Sequence, residues 1–269
     1  MRPRQLTLLI ILVFTFAGVS CRKIMPERYA GYSPSTRVHV DLPSATKNSD
    51  VDSRIDKEDS VVVSLPNNEG VYLGKTQYSK ETFGLKLHEL LQKQTDPEAL
   101  VYIAAGASSD YASVLWVLDQ IRRENRARVG LIVTRLPDNG PARFIVDIPA
   151  EPDPKELERR RLNPLTLVVA LTLDQNLKLN QDPIGSLADT KGLSEKLIEI
   201  FRVRTEQYAF KRGLDKRTDL PMSERIEKTL IINPDHSSKY GDVIKLIDAV
   251  KGAGASPILL QIDDFTPIF

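Results

Sequence analysis

Val101-Tyr102-Ile103, Ser108-Ser109-Asp110-Tyr111 and an apolar run ending near Ile121 occur a second time in this chain. The second set is Leu230-Ile231-Ile232, Ser237-Ser238-Lys239-Tyr240 and a run ending near Val250. Corresponding positions stand 129 residues apart in the first block (101 and 230), in the loop (108 and 237, 111 and 240) and in the run (119 and 248). One offset held across a strand, a loop and a helix predicts a duplicated unit, and a repeat this long is a domain.

Working outward, the first unit reads as a succession of short elements. Val61-Val62-Val63 and Val71-Tyr72-Leu73 flank the turn formers Pro66-Asn67-Asn68-Glu69-Gly70, which predicts a hairpin. A helix starts near Ser79, a candidate N-cap, with Phe83, Leu87, Leu90 and Leu91 on one face. Asp96-Pro97 ends it, and Leu100 to Ala105 is the next strand. The following helix carries the stripe Tyr111, Val114, Leu115, Leu118 and Ile121, and Val129 to Thr134 closes the unit.

The order is β-β-α-β-α-β, and the second copy is expected to repeat it. Asp147-Ile148-Pro149 mirrors Asp41-Leu42-Pro43. Then come strands Val168 to Leu173 and Leu177 to Leu179, a helix from about Leu193 to Tyr208, and a basic, polar insertion at 209–222. Strand Leu230 to Ile232, helix Tyr240 to Val250, a Gly252-Gly254 stop and strand Ile258 to Ile262 complete it. The expected fold class is α+β, with two tandem domains at 60–136 and 168–264. A segment at 1–21, a tether at 22–59 and a linker at 137–167 account for the rest. The tether is expected to be extended, because Asn48 to Ser60 holds only Val51 and Ile55 as apolar residues.

The N-terminus suggests a membrane. Arg2 and Arg4 precede an uncharged, mainly apolar stretch, Leu6 to Ser20, which ends in Ala17-Gly18-Val19-Ser20-Cys21. That is the layout of an export signal. Small residues directly before a cysteine also resemble a lipoprotein signal, which makes Cys21 the lipidation candidate. The competing reading is an uncleaved anchor, although a fifteen-residue helix spans only about 22 Å of a hydrocarbon core of roughly 30 Å. On either reading the N-terminus tethers the chain to a membrane.

Several function classes are disfavoured. Thirty-seven Lys and Arg against 36 Asp and Glu leave a net charge of +1, with no electrostatic reason to expect nucleic acid. The basic run Arg159 to Arg161 alternates with Glu156 and Glu158 and reads as a solvated face. His39, His88 and His236 fall on different elements without ligand spacing, so neither a metal nor a cofactor is expected. Ser44-Ala45-Thr46-Lys47 fits a Ser-x-x-Lys pattern, but on a tether no rigid helix would hold the pair together. Gly252-Ala253-Gly254 resembles a dinucleotide loop but follows a helix where that motif follows a strand. No acid/base constellation emerges, and an enzyme is not expected. Tyr111 and Tyr240 are either core-edge tyrosines with solvated hydroxyls or partner contacts, and Asp119 and Asp248 read as surface charges.

Asp41-Leu42-Pro43, Val71-Tyr72-Leu73-Gly74, Val101-Tyr102-Ile103-Ala104, Tyr111 with Val114-Leu115, and Asp119 with Ile121-Arg122 before Val129-Gly130-Leu131 occur here in one order. In that order they resemble the periplasmic domain of the ExbD/TolR family of biopolymer transport proteins. The resemblance covers most of 38–136 and, more loosely, 144–264. It implies an ion-driven complex with an ExbB/TolQ-like multi-span partner in the cell envelope. It also implies a membrane Asp for the proton step. Leu6 to Ser20 contains no acidic residue, and the first acid is Glu27. An ionisable group in hydrocarbon is kept only for function, so the chain is expected to lack that relay and to work by protein contacts, with self-association among them. An envelope lipoprotein scaffold is the alternative.

Intact mass of the membrane-extracted protein separates the two tethers. Loss of the first twenty residues with acyl mass on Cys21 is expected for lipidation, and a full-length mass for the anchor.

Overall fold

The computed structural model describes residues 36–150, apart from 58, 95, 97 and 98, and residues 163–262. The leader with Cys21, Glu27, and the 151–162 stretch with its charged run lie outside the described residues.

The fold is mixed α+β: one sheet of 13 strands carries all the helices of the described residues. β1 (Ser44–Ala45) and β2 (Asp50–Val51) precede a meander of β3 (Val62–Leu65), β4 (Val71–Leu73) and β5 (Thr76–Tyr78). Then follow α1 (Lys80–Gln92), β6 (Val101–Ala105), α2 (Tyr111–Arg123), β7 (Arg128–Arg135) and β8 (Gly140–Asp147). The remainder is β9 (Leu167–Leu171), β10 (Asn176–Leu179), β11 (Asp182–Ser186), α3 (Lys191–Glu206), α4 (Met222–Arg225), β12 (Leu230–Pro234), α5 (Tyr240–Gly252) and β13 (Ile258–Leu260).

Across the sheet the order is β11-β10-β9-β12-β13-β8-β7-β6-β3-β4-β5. β3, β6 and β7 are mutually parallel, as are β9, β12 and β13. β8 runs antiparallel to β7 and parallel to β13, so the two parallel sets point in opposite directions. Register repeats as well: Val62 pairs with Tyr102 and Val101 with Val129, while Val168 pairs with Ile231 and Leu230 with Ile258.

Alternation along the strands sorts side chains to two faces. Val63, Ile103, Leu131, Val169, Ile232 and Leu260 face the long helices in a single buried cluster with Phe83, Leu118, Leu197 and Ile247. Val62, Tyr102, Ala104 and Ile132 face the other way and are covered by Val40 and Ile55.

Four expectations change. Each meander has a third strand, β5 or β11. These are short and polar, so hydrophobic periodicity does not register them. Residues 140–147, expected within a linker, form a full strand on β7 through eight residue pairs. The described part of the expected tether, 36–57, is a strap wrapped round the β7–β8 hairpin. β1 pairs with β7 at Ser44↔Thr134, and β2 pairs with β8 at Val51↔Ala142. Between them the strap reaches α5. The Thr46 N–H and hydroxyl donate to the Asp248 carboxylate at 3.0 and 2.8 Å, and Lys251 meets Asp50 at 2.7 Å. Asp248 is therefore a buried anchor for the strap, and its expected role as a surface charge is corrected.

The strap then turns to the back of the sheet, where polar bonds offset its scarcity of apolar surface. The Asp52 carboxylate accepts from Tyr102 Oη at 2.7 Å, from Arg54 Nε at 3.1 Å and from Arg143 Nε. Burial works to raise the Asp52 pKa, but these hydrogen bonds outweigh it and hold the carboxyl well below the usual range. Burial, helped by the bond to Asp52, pushes Tyr102 up to about 12. Arg37 closes the strap by donating to the Ile55 and Lys57 carbonyls at 2.6 and 3.2 Å.

Asp52→Ala leaves the buried Arg143 without its carboxylate and is expected to cost about 3 kcal/mol, read by urea denaturation. Because the folded pKa is depressed, this stability is present above the ordinary aspartate value of 3.8 and lost as pH falls below it. In the variant, the acid side of the stability profile should be correspondingly flatter.

Candidate functional site

Among the described residues the sheet ends at β5 on one side and β11 on the other, with no strand paired beyond either. The two-residue turn Gly74-Lys75 closes β4–β5 at the pair Leu73↔Thr76. In an antiparallel hairpin of this kind the closing pair is hydrogen-bonded and the next is not. Gln77, opposite Tyr72, therefore presents its main-chain N–H and C=O to the free edge. Thr76 and Gln77 are exposed and Tyr78 is half-buried.

β11 follows the same geometry with different chemistry. Asn180 and Gln181, both at positive φ, form the turn, and Leu179↔Asp182 closes it. The next pair is Lys178↔Pro183, so Pro183 stands where Gln77 stands in β5. A proline there offers no outward donor and blunts the edge. A bulge between Leu177 and Lys178 distorts it further.

Beside β5 lies a groove of about 750 Å3, with Gly74 and Tyr78 on one wall and Arg37, Lys57, Lys86 and Lys93 around it. Asp59 and Asp96 also line it. Lys75 and Lys80 flank the strand and are exposed.

Tyr111 and Tyr240 are fully buried, so neither offers a partner contact or a solvated hydroxyl, and both expectations are corrected. Each opens its helix at the junction of the two halves. Among the described residues neither hydroxyl has a hydrogen-bond partner. Burial raises the pKa of both, and Tyr111 raises that of Tyr240 further. The helical stripe marked these positions as apolar-facing, but that the two stripes meet each other is a tertiary fact.

Asp119 pairs with Arg122 at 2.5 Å and Arg123 at 2.9 Å on its own helix. His39 meets Asp41 at 3.1 Å and His88 meets Glu124 at 2.8 Å, and the structure does not bring the histidines together. Among the described residues no group of His, Cys, Asp and Glu could hold a metal ion, and no helix is long and apolar enough to cross a membrane. The 209–222 insertion is a folded lobe: Phe210 bridges Ile226, and the Arg225 guanidinium lies 4.5 Å from the Phe210 ring centre.

Residues 29–136 match the family described as biopolymer transport protein ExbD/TolR. No curated protein matches the chain.

A buried hydroxyl with no partner carries a desolvation cost that phenylalanine avoids. Tyr111→Phe and Tyr240→Phe are each expected to leave stability unchanged or raise it by up to about 1 kcal/mol. A clear loss in thermal or urea denaturation would mean that the hydroxyl is bonded.

Proposed function

We propose that this chain, which carries an ExbD/TolR-family domain over residues 29–136, is a membrane-tethered envelope component of a biopolymer transport complex linked to the proton-motive force. It acts through protein–protein contacts. Residues 60–136 and 168–264 are its two like units, and the repeated strand order and register support that division. The N-terminal segment Leu6 to Ser20 holds the chain at the membrane and, lacking any acidic residue, leaves the proton step to a partner of the ExbB/TolQ kind.

The observation that carries the mode of contact is the difference between the two sheet edges. β5 keeps its outward main-chain donor at Gln77, and β11 has Pro183 at the matching place. The chain therefore accepts one extended segment, at β5, by strand addition. Main-chain bonds supply affinity, and the adjoining basic groove takes alternate side chains. A blunted second edge prevents sheets of successive copies from growing end to end.

The second reading, an envelope lipoprotein scaffold without a motor partner, is favoured by the small residues before Cys21. Pull-down of the tagged full-length chain from membranes discriminates the two. A multi-span membrane protein is expected among the captured partners, and its absence supports the scaffold. Gln77→Pro gives β5 the residue type that β11 already has, so capture of the strand-adding partner should be lost while helicity is retained. Undiminished capture would exclude β5 as the acceptor.

A further inference from the structure

The loops that open α2 and α5 are the corresponding stretches Ser109-Asp110-Tyr111 and Ser238-Lys239-Tyr240, and they bind each other. The Tyr111 N–H donates to the Ser238 carbonyl at 2.9 Å, and the Tyr240 N–H donates to the Ser109 carbonyl at 2.9 Å. Residues 110 and 239 form an antiparallel bridge between these two bonds. Reciprocal contacts between corresponding residues are the mark of a two-fold axis, on which a position meets its own counterpart.

At such a position a homotypic pair sets like against like. Here the counterparts differ in sign: Lys239 Nζ lies 2.6 Å from Asp110 Oδ1. We propose that this surface is a heterotypic lock, in which each half accepts the other half of the chain and rejects a second copy of itself. This rests on the two-unit reading above. Two first halves would bring Asp110 against Asp110, and two second halves Lys239 against Lys239, with like charges directly opposed.

Helix electrostatics points the same way. Asp110 and Lys239 are the N-cap residues of α2 and α5, and neither makes a side-chain cap bond. An acidic side chain suits the positive end of a helix, and a lysine does not. Lys239 is thus unfavourable for its own helix and favourable only towards the Asp110 opposite it. One carboxylate serves two helix N-termini that meet at the axis. The surface is complete within a single chain, which leaves other copies and partners to the sheet edge.

The test uses the full-length chain extracted from membranes. In Asp110→Cys/Lys239→Cys, the spacing of bridged residues suits a disulfide, and mild oxidation should give an intrachain bond. The wild-type chain, whose one cysteine is Cys21, sets the background. Asp110→Cys alone should give no interchain dimer above it. Asp110→Lys places two lysines at two helix N-termini and should shift the unfolding equilibrium about tenfold towards the unfolded state. The charge swap Asp110→Lys/Lys239→Asp should recover most of that shift.

An intrachain bond together with rescue by the swap establishes the lock. An intrachain bond without rescue, or interchain dimers of Asp110→Cys, overturns it while leaving the two-unit reading intact. Failure of the double-cysteine chain to close internally overturns both.

Discussion

The reversal of chain direction at the β7–β8 hairpin is the constraint on which the rest of the molecule depends. β8 leaves β7 antiparallel through eight residue pairs and then lies parallel to β13. Every strand of the second parallel set consequently runs opposite to the first. Two like arrangements placed side by side and reversed must present corresponding surfaces to each other. The reciprocal bonds between the loops at 109–111 and 238–240 follow from that geometry. The sheet contact itself is slight, since β13 and β8 share only the pair Leu259↔Asp147. Cohesion between the halves therefore falls to the helix face, where Tyr111 and Tyr240 are buried in one common cluster, and to the strap.

The strap shows how a polar segment can be ordered without a core of its own. Between Ser44 and Val51 it touches both strands of the hairpin and α5. Ile55 and Val40 supply its apolar contacts, and Asp52 and Asp248 act as buried acceptors at its two crossings. The strap thus meets Tyr102 on β6, Arg143 on β8 and Asp248 on α5.

Much of this was legible in the sequence, and the misses share a physical cause. The positions set 129 residues apart fall on β6, β12, α2 and α5, because each of these elements buries an apolar stripe whose period is visible in the sequence. Thr76–Tyr78 and Asp182–Ser186 went unseen because an edge strand needs no apolar face. Asn48 to Ser60 reads as an extended tether because its order comes from Asp52 bonding to Tyr102 and Arg143, contacts 50 and 91 residues distant. Pro137 and Pro141 lie in the stretch expected as a linker, and they mark the tip of the β7–β8 hairpin. At the candidate site, the prolyl block at Pro183 was present in the sequence but had no meaning until β11 was placed at an edge opposite β5. The tyrosines were found by their helical spacing, and only their mutual burial shows that they cannot reach a partner.

The two halves share one core across the hairpin, so they should unfold together. Trp116, the only tryptophan in the chain, packs 5.2 Å from Phe83 in the first half and reports on it by fluorescence. Amide exchange in β12 and α5 reports on the second half. Followed through a single urea titration, the two probes are expected to give coincident transitions with one midpoint. Loss of protection in β12 and α5 at a urea concentration where Trp116 fluorescence is still native would contradict the account.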